Sequence, residues 1–229
     1  MNDDQTLAVG PAGAGGVWSL DADAPLQAVL DRPEPPPLLR QALTGVLSWQ
    51  IRNQTSIGRT LTSPRLAPQW VAALLALGAT VTVEGDEGPA DVPVEALVER
   101  RAAGRVSVLH VPLVGSEHRW GAARVARTPA DEPIVAAVAV VEMGGDVVRQ
   151  VRVALTGVWS GPVRLARAPD RLVGAPLDQP CIRAVANAVE DEVAPEGDFL
   201  GSEEYRRAMA GVLTRRALEG CVRQEVGDE

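Results

Sequence analysis

Residues 50–64 read QIRNQTSIGRTLTSP, and within them Ser56-Ile57-Gly58-Arg59-Thr60 has the residue types of a backbone phosphate cradle. In such a cradle successive N–H groups converge on anionic oxygens, and glycine is needed wherever the main chain must touch the ligand. Gly58 meets that need. Arg59 does not, so the stretch reads either as a site that has been closed or as one that grips an anion differently, through a guanidinium. Other chemistry-bearing residues are sparse. All 22 basic residues are arginine, which excludes a Schiff-base or general-base lysine. His110, inside RVSVLHVPL, reads as a satisfied core histidine, and His118 as a solvated turn residue. Cys181 and Cys221 stand far apart with no C-x-x-C and no neighbouring histidine, so neither an iron–sulfur nor a zinc site is encoded. The carboxylates at Asp86, Glu87, Asp91 and 190–192 read as solvated charge runs without an acid–base pair, and G-x-S-x-G is absent.

The frame for these residues is a 229-residue chain, 46% hydrophobic and 23% charged, long enough for one large domain or two small ones. A net charge of −8 argues against a nucleic-acid binder, which needs clustered cations. The start, MNDDQTLAVG, is acidic where a signal peptide is basic, and no apolar run approaches the ~18–20 residues of a membrane span. A cytoplasmic protein without membrane association is expected. Aromatic residues make up only 3%, and Trp18, Trp49, Trp70, Trp120 and Trp159 read as core or interface anchors.

Two halves must position the cradle. In the first, apolar spacing predicts helices over Leu38–Leu47 and Trp70–Leu77, the latter stopped by Gly78. ATVTVEG reads as a strand, GDEGPAD as a surface turn, Val94–Arg101 as a short helix and RVSVLHVPL as a strand ending at Pro112. PEPPP at 33–37 is a stiff spacer. GSEH at 115–118 marks a boundary, giving domains 1–114 and 115–229. The second half opens with three strands, Arg119–Arg127, Ile134–Met143 and Val147–Thr156, the last two joined as a hairpin by Gly144-Gly145-Asp146. Three helices follow. One spans Pro162–Val173; one begins near Asp178 and buries Ile182, Val185, Ala186, Val189 and Val193; one starts after the cap Ser202 and turns Tyr205, Met209, Val212, Leu213 and Ala217 inward. Both halves are therefore α+β, the second a three-stranded antiparallel sheet carrying a helical bundle.

The pattern Gly201-Ser202-x-x-Tyr205-Arg206-Arg207, followed by Val212-Leu213-x-Arg215-Arg216-Ala217, resembles the C-terminal domain of the medium, FAD-carrying subunit of the xanthine dehydrogenase/carbon monoxide dehydrogenase family. IRNQTSIGRTL is similar to a stretch of the type I-R-N-x-G-T-I-G-G-N-L in the second, PCMH-type FAD-binding subdomain of the same subunit, and the similarity runs on to ALLALGATV. It covers nearly the whole chain from Leu38 onward. The resemblance implies partnership with an iron–sulfur small subunit and a molybdopterin large subunit of a molybdenum hydroxylase-type complex, and it allows a homo-oligomer through the C-terminal domain.

Measured against that family, the flavin-site positions depart from the pattern. The first FAD subdomain is read as missing, with Gly13-Ala14-Gly15-Gly16-Val17 a turn at the edge of the surviving sheet. Ser56, Ile57 and Gly58 keep the cradle, but Arg59 and Thr60 stand where the family has Gly and Asn. Ser63 and Gln69 fall on its Asn and Asp positions, and Glu132 on the aromatic that stands beside the flavin. The resemblance thus implies a shortened medium-subunit homologue that serves as a structural or assembly subunit and no longer binds FAD. The alternatives are an FAD electron-transfer subunit with the pyrophosphate loop supplied by another chain, and an anion-binding module using Arg59. If the site has closed, Arg59 is expected to plug the diphosphate position against nearby acceptors, with Trp49 and Trp70 filling the vacated volume.

Overall fold

The computed structural model describes residues 16–223 apart from 45, 46, 87, 114, 116 and 130. Most of the Gly13–Val17 segment, and Glu87, lie outside the described residues. The first half forms an antiparallel sheet of order β1-β4-β2-β3, from β1 (Val17–Asp21), β2 (Thr80–Gly85), β3 (Gly88–Pro93) and β4 (Arg105–Pro112). Between β1 and β2 run α1 (Gln27–Leu30), α2 (Pro37–Thr44), α3 (Trp49–Gln54), α4 (Ile57–Thr62), a 3-10 turn at Pro64–Leu66, and α5 (Pro68–Leu77). The short helix α6 (Val94–Val98) links β3 to β4. The stretch read as a surface turn after β2 is in large part the edge strand β3, paired from Gly88 to Pro93. Its glycine, prolines and aspartate are types depleted in strands, and an edge position tolerates them.

The second half is an antiparallel sheet of β5 (His118–Val125), β6 (Val135–Gly144), β7 (Val147–Thr156) and β8 (Val163–Ala166), followed by a 3-10 turn at Ala168–Leu172, then α7 (Gln179–Glu192) and α8 (Glu203–Arg223). This corrects the three-stranded expectation: Val163–Ala166 pairs with Thr156–Val153 of β7 rather than opening a helix over 162–173. Among the described residues two helices, not three, belong to this half. The hairpin at Gly145-Asp146 forms as read, with φ 69° at Gly145. Ser202 caps α8, its Oγ accepting the Tyr205 N–H at 3.2 Å. The face that α8 buries is turned by about one residue from the expected one: Arg206, Ala210, Leu213, Ala217 and Cys221 point inward, and Tyr205 lies outside.

β6 explains the layering. Its run VAAVAVV is buried at every position, with no period-two alternation, because both faces are covered. Val138 and Val140, with Ala154, Val163 and Leu165, join the core of the first half, while Ala137, Ala139 and Val141 join the core under α7 and α8. The element on the first face is α5, packed on β6, β7 and β8. Every residue of α5 except Gln69 is buried, which is why PQWVAALLAL is apolar around its whole circumference. Gly78 ends it in the left-handed conformation at φ 70°, as its position predicted. No helix among the described residues is long and apolar enough to cross a membrane.

On the other face α8 approaches β5 closely: a methyl group on Gly121 would collide with the Ala217 carbonyl oxygen, and Gly220 lies beside it. Gly121→Ala is therefore expected to destabilise the fold by about 1–3 kcal/mol, since the obstacle is helix backbone rather than a movable side chain. Urea denaturation of the purified variant checks it.

Candidate functional site

QIRNQTSIGRT is not an open loop but two short helices, α3 and α4, joined at Thr55-Ser56. Ser48 caps the first, accepting from the Ile51 N–H at 3.3 Å, and Ser56 the second, accepting from the Arg59 N–H at 3.4 Å. Arg52 fixes α3 from below: its Nε donates to Gln27 Oε1 at 2.8 Å and its Nη1 to the Leu47 carbonyl. The N-terminal N–H groups of α4 are the donors that a phosphate cradle would offer. Here the Ile57 N–H donates to the Ala24 carbonyl at 2.9 Å and the Gly58 N–H to the Ala22 carbonyl at 2.7 Å. The Thr60 N–H goes to the Ser56 carbonyl at 3.3 Å. With Arg59 on Ser56 Oγ, all four have acceptors within the chain.

Gly58 has a local reason to be glycine. A Cβ there would stand 3.1 Å from Ala22 Cβ and 3.2 Å from Ala22 O, tighter than ordinary contact. Thr60 is buried and donates its hydroxyl to the Ile57 carbonyl at 2.6 Å. Arg59 is exposed and has no hydrogen-bond or ion-pair partner for its guanidinium among the described residues. The expectation that Arg59 plugs the cradle is therefore corrected: what meets the α4 N–H groups is backbone, the Ala22–Ala24 turn after β1. Trp49 is corrected likewise. It is 66% exposed, whereas Trp70 is fully buried.

The remaining candidate positions are dispersed around the junction of the two halves. Gln69 lines a cavity of about 170 Å³ bounded by Leu38, Thr44, Ala122, Ala136 and Val138, and its Nε2 is buried there without a partner. Glu132 lines a polar cleft of about 390 Å³ between Arg65 and Pro68 on one side and residues 156–162 on the other. Ser63 lines a third groove at the far end of α4.

One residue that sequence reasoning quoted without a role organises the back of the polar cleft. Arg206 is 6% exposed, and its Nη1 donates to the Ile134 carbonyl at 2.8 Å and the Gly157 carbonyl at 2.9 Å. Its Nη2 donates to Asp198 Oδ2 at 2.7 Å. Asp198 also accepts the Leu200 N–H at 2.8 Å and the Gly201 N–H at 3.2 Å. The Arg206 guanidinium, aided by these N–H groups, holds the Asp198 carboxyl below its ordinary range. The periodicity of α8 gave no signal for it, since that reading turned Tyr205 inward instead.

The other titratable candidates stay structural. His110 lies on the half-exposed face of β4 rather than in the core, but its ring is satisfied, Nδ1 at 3.0 Å from Ser19 Oγ and Nε2 at 2.9 Å from Thr82 Oγ1. His118 begins β5, its Nε2 3.8 Å from the Glu142 carboxylate, so it is not a free turn residue. Burial pushes the Cys221 thiol up to about 12. No group of three or more His, Cys, Asp or Glu that could hold a metal occurs among the described residues.

Comparison with known proteins places this geometry. Residues 123–221 match the model of the CO dehydrogenase flavoprotein C-terminal domain. The chain is 30% identical over 217 residues to the uncharacterized protein YgfM of Escherichia coli strain K12, covering 93% of this chain and 76% of that one. It is 26% identical to the carbon monoxide dehydrogenase medium chain of Hydrogenophaga pseudoflava, covering 81% of this chain and 67% of that one. The fold matches a solved carbon monoxide dehydrogenase from the same organism, in a form lacking the Mo-pyranopterin moiety, with a TM-score of 0.80, 22% identity, and coverage of 95% and 78%. Both sheets thus fall within one lineage: the chain is a member of the medium, FAD-binding subunit family of the carbon monoxide dehydrogenase and xanthine dehydrogenase type.

Proposed function

We propose that this chain is a structural or assembly subunit of a molybdenum hydroxylase-type complex in the cytoplasm, docking beside an iron–sulfur small subunit and a molybdopterin large subunit, with its flavin site closed. The carrying observation is the commitment of the α4 N–H groups: Ile57 and Gly58 donate to the Ala24 and Ala22 carbonyls at 2.9 and 2.7 Å, leaving no convergent donors for a diphosphate. Of the cavities at the flavin-site positions, the one beside Gln69, about 170 Å³, is below the roughly 300–1,000 Å³ of pockets that hold drug-sized ligands, whereas those at Glu132 and Ser63, about 390 and 460 Å³, are not. Gln69 also lacks the carboxylate that would accept from a ribose or ribityl hydroxyl.

A second reading, an FAD electron-transfer subunit completed by a loop from another chain, is favoured by one observation, the buried Gln69 Nε2 without a partner. FAD titration of the chain alone, and flavin released from the complex co-expressed with its neighbouring subunits, decide between them. The expected result is co-purification with the two partner homologues, no flavin beyond a trace, and no micromolar FAD binding. Arg59→Gly with Thr60→Asn is expected to gain none, because the Ala22–Ala24 carbonyls stay in place. Stoichiometric flavin in the complex would establish the second reading. A chain that runs as a monomer and ignores both partners in size-exclusion chromatography would overturn the subunit role itself.

A further inference from the structure

At the end of α4 remote from Ser56, a groove of about 460 Å³ opens between Thr62–Arg65, the end of α6 and the turn Ser160-Gly161-Pro162. Its charged lining residues are Arg65 and Arg100, accompanied by the hydroxyl-bearing Thr62, Ser63 and Ser160; no carboxylate lines it among the described residues. Both arginines are exposed, and what distinguishes them from other exposed arginines such as Arg59 is that they line one groove together. Arginines beside helix ends can donate to last-turn carbonyls. Neither guanidinium does, and neither has any hydrogen-bond or ion-pair partner among the described residues.

Arg100 is held there against its backbone preference. The Arg100 N–H donates to the Leu97 carbonyl at 3.0 Å and the Arg101 N–H to the Ala96 carbonyl at 2.8 Å, so α6 ends in the double-bonded motif whose left-handed residue is usually glycine. That residue is Arg100, with φ 58°. An arginine at this position pays in backbone strain, and its guanidinium makes no hydrogen bond or ion pair among the described residues that would offset it.

Past Arg65 and residues 160–162, which border both, the groove continues into the polar cleft. Two walls of that cleft, Thr156 and Trp159, carry buried polar atoms without partners, Oγ1 and Nε1, and Thr156 is 3% exposed. The indole can only donate and the hydroxyl can donate, so both are completed by acceptors. Two uncommitted guanidiniums match one dianionic group: a phosphate monoester carries about −1.5 to −2 at neutral pH, and its oxygens fit the arginine fork. Glu132 and Glu196 on the cleft's rim disfavour a second anionic group.

We propose that Arg65 and Arg100 bind the phosphate of a small phosphorylated molecule, whose uncharged polar part reaches Thr156 and Trp159. The inference goes beyond the subunit role and rests on the reading that the flavin site is closed, since the flavin-site positions Ser63 and Glu132 line the groove and the cleft.

The test is calorimetric and thermal titration of the purified chain with inorganic phosphate and with glycerol 3-phosphate, against sodium chloride of equal ionic strength. Both phosphates are expected to bind saturably and raise the melting temperature beyond chloride, glycerol 3-phosphate more tightly. Arg65→Ala is expected to weaken phosphate at least tenfold. Arg100→Gly is expected to do the same while raising the melting temperature of the phosphate-free protein by about 2–4 °C, a signature that a merely structural arginine would not give. Thr156→Val is expected to abolish the advantage of glycerol 3-phosphate and leave inorganic phosphate unchanged. No saturable binding, or full binding by Arg100→Gly, would overturn the site; an unaltered glycerol 3-phosphate advantage in Thr156→Val would overturn its extension into the cleft. FAD binding by wild type, unaffected by Arg100→Gly, would count against the closed flavin site alone.

Discussion

Arg206→Met is expected to lower stability by about 3–5 kcal/mol, because hydrogen bonds from a charged donor contribute about 1.5–3 kcal/mol each and one buried and one half-buried carbonyl lose theirs together. Those are Ile134 O and Gly157 O, the carbonyls flanking the start of β6 and the end of β7. Methionine restores the volume but no donor. The melting temperature should fall by roughly 6–20 °C at neutral pH, scaling at about 2–4 °C per kcal/mol for a chain of this size. Arg206→Lys should fall less, retaining the charge with fewer aimed donors. Acid adds a second signature. The Asp198 carboxyl is held below its ordinary value of 3.8, so its contribution is fully present above that value and is lost as pH drops through the depressed folded one. The gap between wild type and Arg206→Met should therefore narrow only in strong acid. An unchanged melt at neutral pH would show that other bonds hold this corner.

Trp70→Ala is expected to cost about 3–5 kcal/mol, the range for emptying a large buried aromatic site. Trp70 is fully buried on α5, in the core that both halves share. Trp49→Ala should stay within about 0.5 kcal/mol, since Trp49 is exposed and its helix buries no residue. Chemical denaturation of both variants separates these outcomes. Equal losses would mean that the α3 face is covered in solution, and two silent variants would mean that α5 is not the central element described above.

Local signals were legible in the sequence. Gly78, the Gly145-Asp146 hairpin, the Ser202 cap and the buried face of α7 each depend on a few neighbouring residues, and each stands where the pattern put it. β8 did not announce itself, because VRLARAPDRL has acceptable helical spacing and its strand identity comes from β7 across the sheet. The candidate site failed for a similar reason. Gly58 looked like a ligand contact, but its neighbour is Ala22, more than thirty residues upstream and of a type that carries no signal. Arg59 attracted notice as the odd residue in a glycine slot, yet its side chain points to solvent and backbone fills the turn. Arg206 was visible as part of a motif, whereas its acceptors Ile134 and Gly157 flank two strands that no local pattern connects to α8.

The all-round apolar α5 has a consequence for synthesis. It leaves the ribosome before the surface that will cover it, because β6, β7 and β8 lie roughly 60 to 90 residues downstream. At translation rates of about 5–20 residues per second, the nascent chain carries a greasy cylinder, flanked by α2 but open on its β6–β8 face, for about 3–18 s. During that interval the emerging polypeptide is a client for holdase chaperones, and crowding of ribosomes on one message would favour sticking between neighbouring chains. Slowing translation after Leu77 should therefore lower soluble yield, and slowing it after Ala166 should not.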